Sequence, residues 1–120
     1  MKWGSRYGYE YVNRLYKSIK KHTQRPTKLY CFTDEGSNID KNIICKPLPK
    51  ISLPETIAYT PWRKMSLWQH PLYDLKGDVL FLDLDLVITG NLDRFFDFKP
   101  GFYCVIENWT QLGQNIGNTS

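Results

Sequence analysis

A chain of 120 residues, 42% hydrophobic and 15% aromatic, is long enough for one domain with a core and too short for two. So many large aromatic side chains exclude a disordered chain, and no apolar run approaches the ~20 residues that a membrane-spanning helix needs. Sixteen Lys and Arg against 12 Asp and Glu leave a formal charge of +4, which favours anionic partners such as phosphorylated ligands or lipid head groups without choosing between them.

In chain order, Val12, Leu15, Tyr16 and Ile19 recur at helical spacing, while Asn13, Arg14, Lys17, Lys20 and Lys21 hold the other face, which predicts an amphipathic helix over residues 10–22. Its Lys-rich last turn suits the negative end of the helix dipole, and Pro26 stops it. The basic face reads as solvated rather than as a surface for nucleic acid. Leu29-Tyr30-Cys31-Phe32-Thr33, closed by Asp34-Glu35-Gly36, and Ile43-Ile44-Cys45, closed by Pro47 and Pro49, read as strands. Residues 47–59 carry three prolines and no period, so they read as a surface loop.

Thr60-Pro61 then offers an N-cap and a first-turn proline for a second helix, in which Trp62, Met65 and Trp68 or Gln69 recur until Pro71. After Gly77, the uniformly apolar Val79-Leu80-Phe81-Leu82 predicts a strand covered on both faces that runs into Asp83. Residues 91–96 read as a capped short helix or turn, and Phe102-Tyr103-Cys104-Val105-Ile106 as a further strand. Alternating strands and helices imply an α/β class with a mostly parallel sheet. Trp62, Trp68, Phe95 and Phe96 are expected in the core. Cys31, Cys45 and Cys104 form an odd set without metal-ligand spacing among apolar neighbours, as buried free thiols in a reducing compartment do. A cytoplasmic location, with peripheral contact at a membrane, is the expectation.

Chemistry concentrates at Asp83-Leu84-Asp85. In open α/β sheets ligands sit beyond the carboxyl ends of the strands, where these acids are expected. In extended chain they would share a face, about 6.6 Å apart at ~3.3 Å per residue. Hard cations such as Mg²⁺ or Mn²⁺ take oxygen ligands, using one or two carboxylates together with substrate phosphates. Two other readings stay open. Asp83 and Asp85 could simply end a strand and begin a turn. Alternatively, Asp83 could be the nucleophile of a haloacid-dehalogenase-like phosphatase with Asp85 as its general acid/base, although that motif follows the first strand of such enzymes.

The run from Val79 through Asp83-Leu84-Asp85 to Ile88, followed by Gly90-Asn91-Leu92-Asp93-Arg94-Phe95-Phe96, resembles the Asp-x-Asp region of GT-A glycosyltransferases, especially glycogenin-like and bacterial lipopolysaccharide types of family 8. Trp62-Arg63-Lys64-Met65-Ser66-Leu67-Trp68 is similar to the helix that precedes that motif, Cys31-Phe32-Thr33-Asp34 to the end of the second strand, and residues 2–13 to the first helix of predicted transferases related to family 8. The resemblance implies one partial GT-A (Rossmann-like) domain over residues 1–120. It also implies a nucleotide-sugar donor such as a UDP-sugar, and Mn²⁺ or Mg²⁺ held by Asp83 and Asp85, with Asp83 also near the ribose. It places Tyr7 at the nucleotide base, Lys64 at the diphosphate or sugar, and Asn118 near the donor sugar. The acceptor, whether glycan, lipid or protein, stays open, and a non-catalytic nucleotide-binding domain is the remaining alternative.

Family members begin with an apolar strand leading into Trp3-Gly4 and carry a late metal-ligating His, a position that neither His22 nor His70 matches. A domain truncated at both ends, with weak or no turnover, is therefore expected.

Overall fold

The computed structural model describes residues 1–58, 60–97 and 113–114. The expected strand at 102–106, Cys104 and the candidate donor contact Asn118 lie outside the described residues.

Helix α1 spans Tyr9–His22 and buries Val12, Leu15 and Ile19, the stripe its spacing predicts. Arg14, Lys17, Lys20 and Lys21 are exposed. Its end is tied down by later sequence. Leu92 donates its N–H to the His22 carbonyl at 2.8 Å, which satisfies one of the acceptors a helix end leaves open. The Asp93 carboxylate accepts from the Thr23 hydroxyl, from the Gln24 N–H at 2.9 Å and from the Arg25 N–H at 3.4 Å. Asn91 acts as the turn residue its position suggests: its Oδ1 accepts the Asp93 N–H at 2.6 Å, and a 3₁₀-helix follows over Asp93–Asp97.

Strands β1 (Tyr30–Phe32) and β2 (Ile44–Lys46) pair in parallel, with Cys31 opposite Cys45. On the other edge of β1, Lys2 donates its N–H to the Phe32 carbonyl at 2.8 Å and forms a parallel bridge with Thr33. The sheet direction at Lys2 is thus that of β1 and β2. Lys2 is buried, and its ammonium is satisfied by the Glu35 carbonyl at 3.2 Å and by Asp34 at 3.9 Å. The pair Lys46–Asp74 at 2.9 Å, together with Tyr73 stacked on Phe32, holds the 72–74 turn against the sheet.

Two joined clusters make the core. Val12, Cys31 and Ile43 form one, and Leu15, Ile19 and Leu92 the other; Leu29 and Leu84 pack against both. Leu80, Leu82 and Ile88 complete the second. Among the described residues, no helix is long and apolar enough to cross a membrane.

Several expectations are corrected. The run Val79–Leu82 forms no strand, and it is covered on one side only: Leu80 and Leu82 pack on the core, while Val79 is 63% exposed and Phe81 is exposed as well. A four-residue apolar run cannot distinguish a strand buried on both faces from a segment draped over a helix, and here it drapes over α1. The second helix exists over Pro61–Trp68, but as a 3₁₀-helix. Thr60 takes the N-cap place without capping it, since its hydroxyl donates instead to the Ile57 carbonyl at 2.7 Å. With three residues per turn, Trp62, Met65 and Trp68 fall on one line, and that line faces outward, with Trp62 60% and Trp68 66% exposed. Phe95 is exposed rather than buried. Cys31 is buried as expected, but Cys45 is exposed. Within the expected loop, Glu55–Ile57 adds a short 3₁₀ turn.

Candidate functional site

Leu84 is the pivot of the site. Its side chain packs against both core clusters, which leaves the carboxylates on either side of it to face away. The motif lies in a turn at Leu84-Asp85 rather than in extended chain. The two acids nevertheless have different surroundings, supplied by two distant segments.

Asp83 is met by Lys64 from the 3₁₀-helix. The ammonium stands 2.8 Å from one carboxylate oxygen and donates to the other at 2.9 Å. Both side chains are largely shielded, Lys64 at 23% and Asp83 at 13% exposure, so this is no loose surface pair. The position of Lys64 follows from the helix: Ser66, the one buried residue of the segment, sits on the inward face, with its hydroxyl donating to the Arg63 carbonyl at 2.8 Å. Phe81 lies under the same ammonium, 5.8 Å from nitrogen to ring centre, within cation–π range. The Met1 ammonium lies within electrostatic reach of Asp83 and Lys64; its pKa is lowered chiefly by burial.

Asp85 is met by Tyr7, whose hydroxyl donates to Oδ2 at 2.8 Å across 78 residues of sequence. The loop that carries Tyr7 is aimed by backbone geometry. Gly4 has φ +62°, which L side chains rarely adopt, and it donates its N–H to Asp34 Oδ2 at 2.8 Å. The loop therefore leaves the bridged Lys2 segment, turns at Gly4 and crosses to Asp85 before α1 begins. The hydrogen bond to the Asp85 carboxylate raises the Tyr7 phenol above its ordinary value of 10.0, because the anion favours a protonated partner. Tyr11 packs edge-on against Tyr7 at 4.9 Å between ring centres.

Four of the five candidates are thus engaged in two pairs, Lys64 with Asp83 and Tyr7 with Asp85; the fifth, Asn118, lies outside the described residues. One residue escaped the sequence reading. The Arg6 guanidinium stacks over the Tyr7 ring, 5.4 Å from its centre. Its adjacency to Tyr7 in a Gly-bounded loop was the available signal.

The donor set fits a hard divalent cation in kind. Asp83 and Asp85 offer only oxygen, and such ions take one or two carboxylates and fill their remaining positions with water and phosphate. Among the described residues no cluster of three or more His, Cys, Asp or Glu is suited to a metal. An open cleft of about 430 Å³ lies where the parallel strands end, lined by Thr33, Asp34, Cys45 and Lys46 among others. One of its lining residues, Asp34, accepts the Gly4 N–H at the start of the loop that carries Tyr7.

No family model, curated protein sequence or solved structure matches the chain.

Proposed function

We propose that this chain is the donor-binding part of a metal-dependent glycosyltransferase that takes a nucleotide-sugar, with a UDP-sugar as the first candidate. The observation that supports this reading is the pairing of both acids of Asp83-Leu84-Asp85 with residues from elsewhere, Lys64 on Asp83 and Tyr7 on Asp85. An acidic pair that merely ended a turn would not need partners from two distant segments. In this reading Asp83 and Asp85 hold Mn²⁺ or Mg²⁺, Lys64 faces the diphosphate, and Tyr7, backed by Arg6 and Tyr11, offers a ring to the base. When bound, the cation supplies Lewis-acid stabilisation of the charge that develops on the departing nucleoside diphosphate. The net charge of +4 supports an anionic donor and also peripheral contact with anionic lipid. The acceptor would be a glycan, lipid or protein.

The test is titration calorimetry of UDP with MnCl₂ or with EDTA, on the wild type and on Asp83→Asn/Asp85→Asn. The expected result is UDP binding that needs manganese and falls by at least about tenfold in the double variant, the factor that ~1.4 kcal/mol represents. Equal binding by both proteins would end the reading. The ammonium on Asp83 gives some support to a phosphatase as well, since it stands where it would meet the phosphate presented to a carboxylate nucleophile. A hydroxylamine-labile acyl phosphate on Asp83 after incubation with acetyl phosphate would favour that alternative.

A further inference from the structure

The two acids of the motif are balanced differently. Asp85 receives a hydrogen bond from a neutral phenol, which leaves its charge uncompensated at that contact. Asp83 has both oxygens against an ammonium, at 2.8 and 2.9 Å, in a partly enclosed place. Resting on the donor-binding reading above, we propose that Lys64 is a resident counter-cation of Asp83, released when a divalent cation takes the carboxylate and then re-engaged by the donor's phosphates.

The argument is one of charge and space. A divalent ion on Asp83 must bind oxygens that Lys64 already engages, and two cations about 3 Å from the same oxygens repel strongly where water screens poorly. They cannot share the carboxylate at full strength. Binding of the bare ion therefore carries the cost of breaking both contacts between Lys64 and Asp83. When the ion arrives as a complex with a nucleoside diphosphate, the phosphates offer Lys64 a new partner, and the flexible four-carbon stem lets the ammonium reach it. The consequence is cooperativity: the site discriminates against the free ion and favours the ion with its nucleotide. Replacing Lys64 by a neutral residue should then have opposite effects on the two ligands.

The test reads Lys64 directly in the wild-type protein. Acetylation with an N-hydroxysuccinimide ester, followed by peptide mass spectrometry, reports the reactivity of this amine separately from the Met1 amine and the other lysines. The expected result is slow labelling of Lys64 in buffer, a several-fold increase with MnCl₂ but not with NaCl of equal ionic strength, and protection again when UDP is added to the manganese. In parallel, paramagnetic resonance of free Mn²⁺ should show Lys64→Gln binding the bare ion about tenfold more tightly than wild type, the factor that ~1.4 kcal/mol represents. Lys64→Arg, which keeps the charge, should stay close to wild type. If Lys64→Gln fails to fold, the labelling decides alone. Unchanged labelling at saturating manganese, or no manganese binding by either protein, overturns the counter-cation. Release of Lys64 by manganese with no effect of UDP leaves the counter-cation standing and removes the donor reading instead.

Discussion

Cys31 and Cys45 face each other in register on β1 and β2, yet their environments differ. Burial in the Val12–Ile43 cluster pushes the Cys31 thiol up to about 11, because the low-dielectric interior disfavours the thiolate. Cys45 is exposed at the rim of the cleft, and its thiol is raised only by partial burial. Thiolate is the reactive form, so at pH 8 a disulfide reagent should modify the exposed Cys45 at least about tenfold faster than Cys31, whose thiol is both pushed up and shielded from the reagent. Mass mapping of peptides over a time course checks this, and equal rates would mean that the strand pair opens easily. The same contrast explains a misjudged residue: apolar neighbours in sequence do not reveal which side of a two-stranded edge a side chain takes.

At the scale of elements, the junction between α1 and the 3₁₀-helix at Asp93–Asp97 hangs on one carboxylate. Asp93 is held below its ordinary value of 3.8, first by the Thr23 hydroxyl and then by the Gln24 N–H. A depressed folded-state value means that the contribution of Asp93 to stability is complete above the ordinary carboxylate value and is lost as pH falls through the lower folded one. Asp93→Asn should therefore melt below wild type at pH 7, with the gap closing in acid below the ordinary value. Thermal melts by circular dichroism at several pH values check this, and a gap that widens in acid would contradict the assignment. The Asn and Asp around Leu92 made a turn legible in sequence. Its attachment to the end of α1, 70 residues earlier for Thr23, was not legible, because no local pattern encodes which distant N–H groups a carboxylate will meet.

For the whole molecule, the cluster of Leu15, Ile19 and Leu92 matters most, because Leu80, Leu82 and Leu84 rest on it and Leu84 aims both acids. Leu15→Ala removes a buried side chain from that cluster and should cost about 2–5 kcal/mol, a large share of the ~5–15 kcal/mol that stabilises an ordinary domain. Urea unfolding followed by far-ultraviolet circular dichroism and by tryptophan fluorescence should give coincident midpoints, both shifted to lower urea. If the fluorescence moved while the helix signal stayed, α1 and the segment carrying the acids would be separate units. The stripe of α1 was readable from spacing alone, since a 3.6-residue period is a local property. The fate of Val79–Leu82 was not, since an apolar run states only that it will be buried against something.

What the sequence determined by itself is therefore local: the helix over Tyr9–His22 with its buried face, the turn at Asn91, the apolar runs, and the identity of an acidic pair able to carry chemistry. Only the tertiary structure decided that Lys64 and Tyr7 meet Asp83 and Asp85, that the third apolar run lies across α1 instead of joining a sheet, and that Trp62, Met65 and Trp68 point outward. The reason is range. Periodicity, caps and turn residues act over a few positions, whereas an ion pair across 19 residues or a hydrogen bond across 78 exists only after the core has brought the segments together.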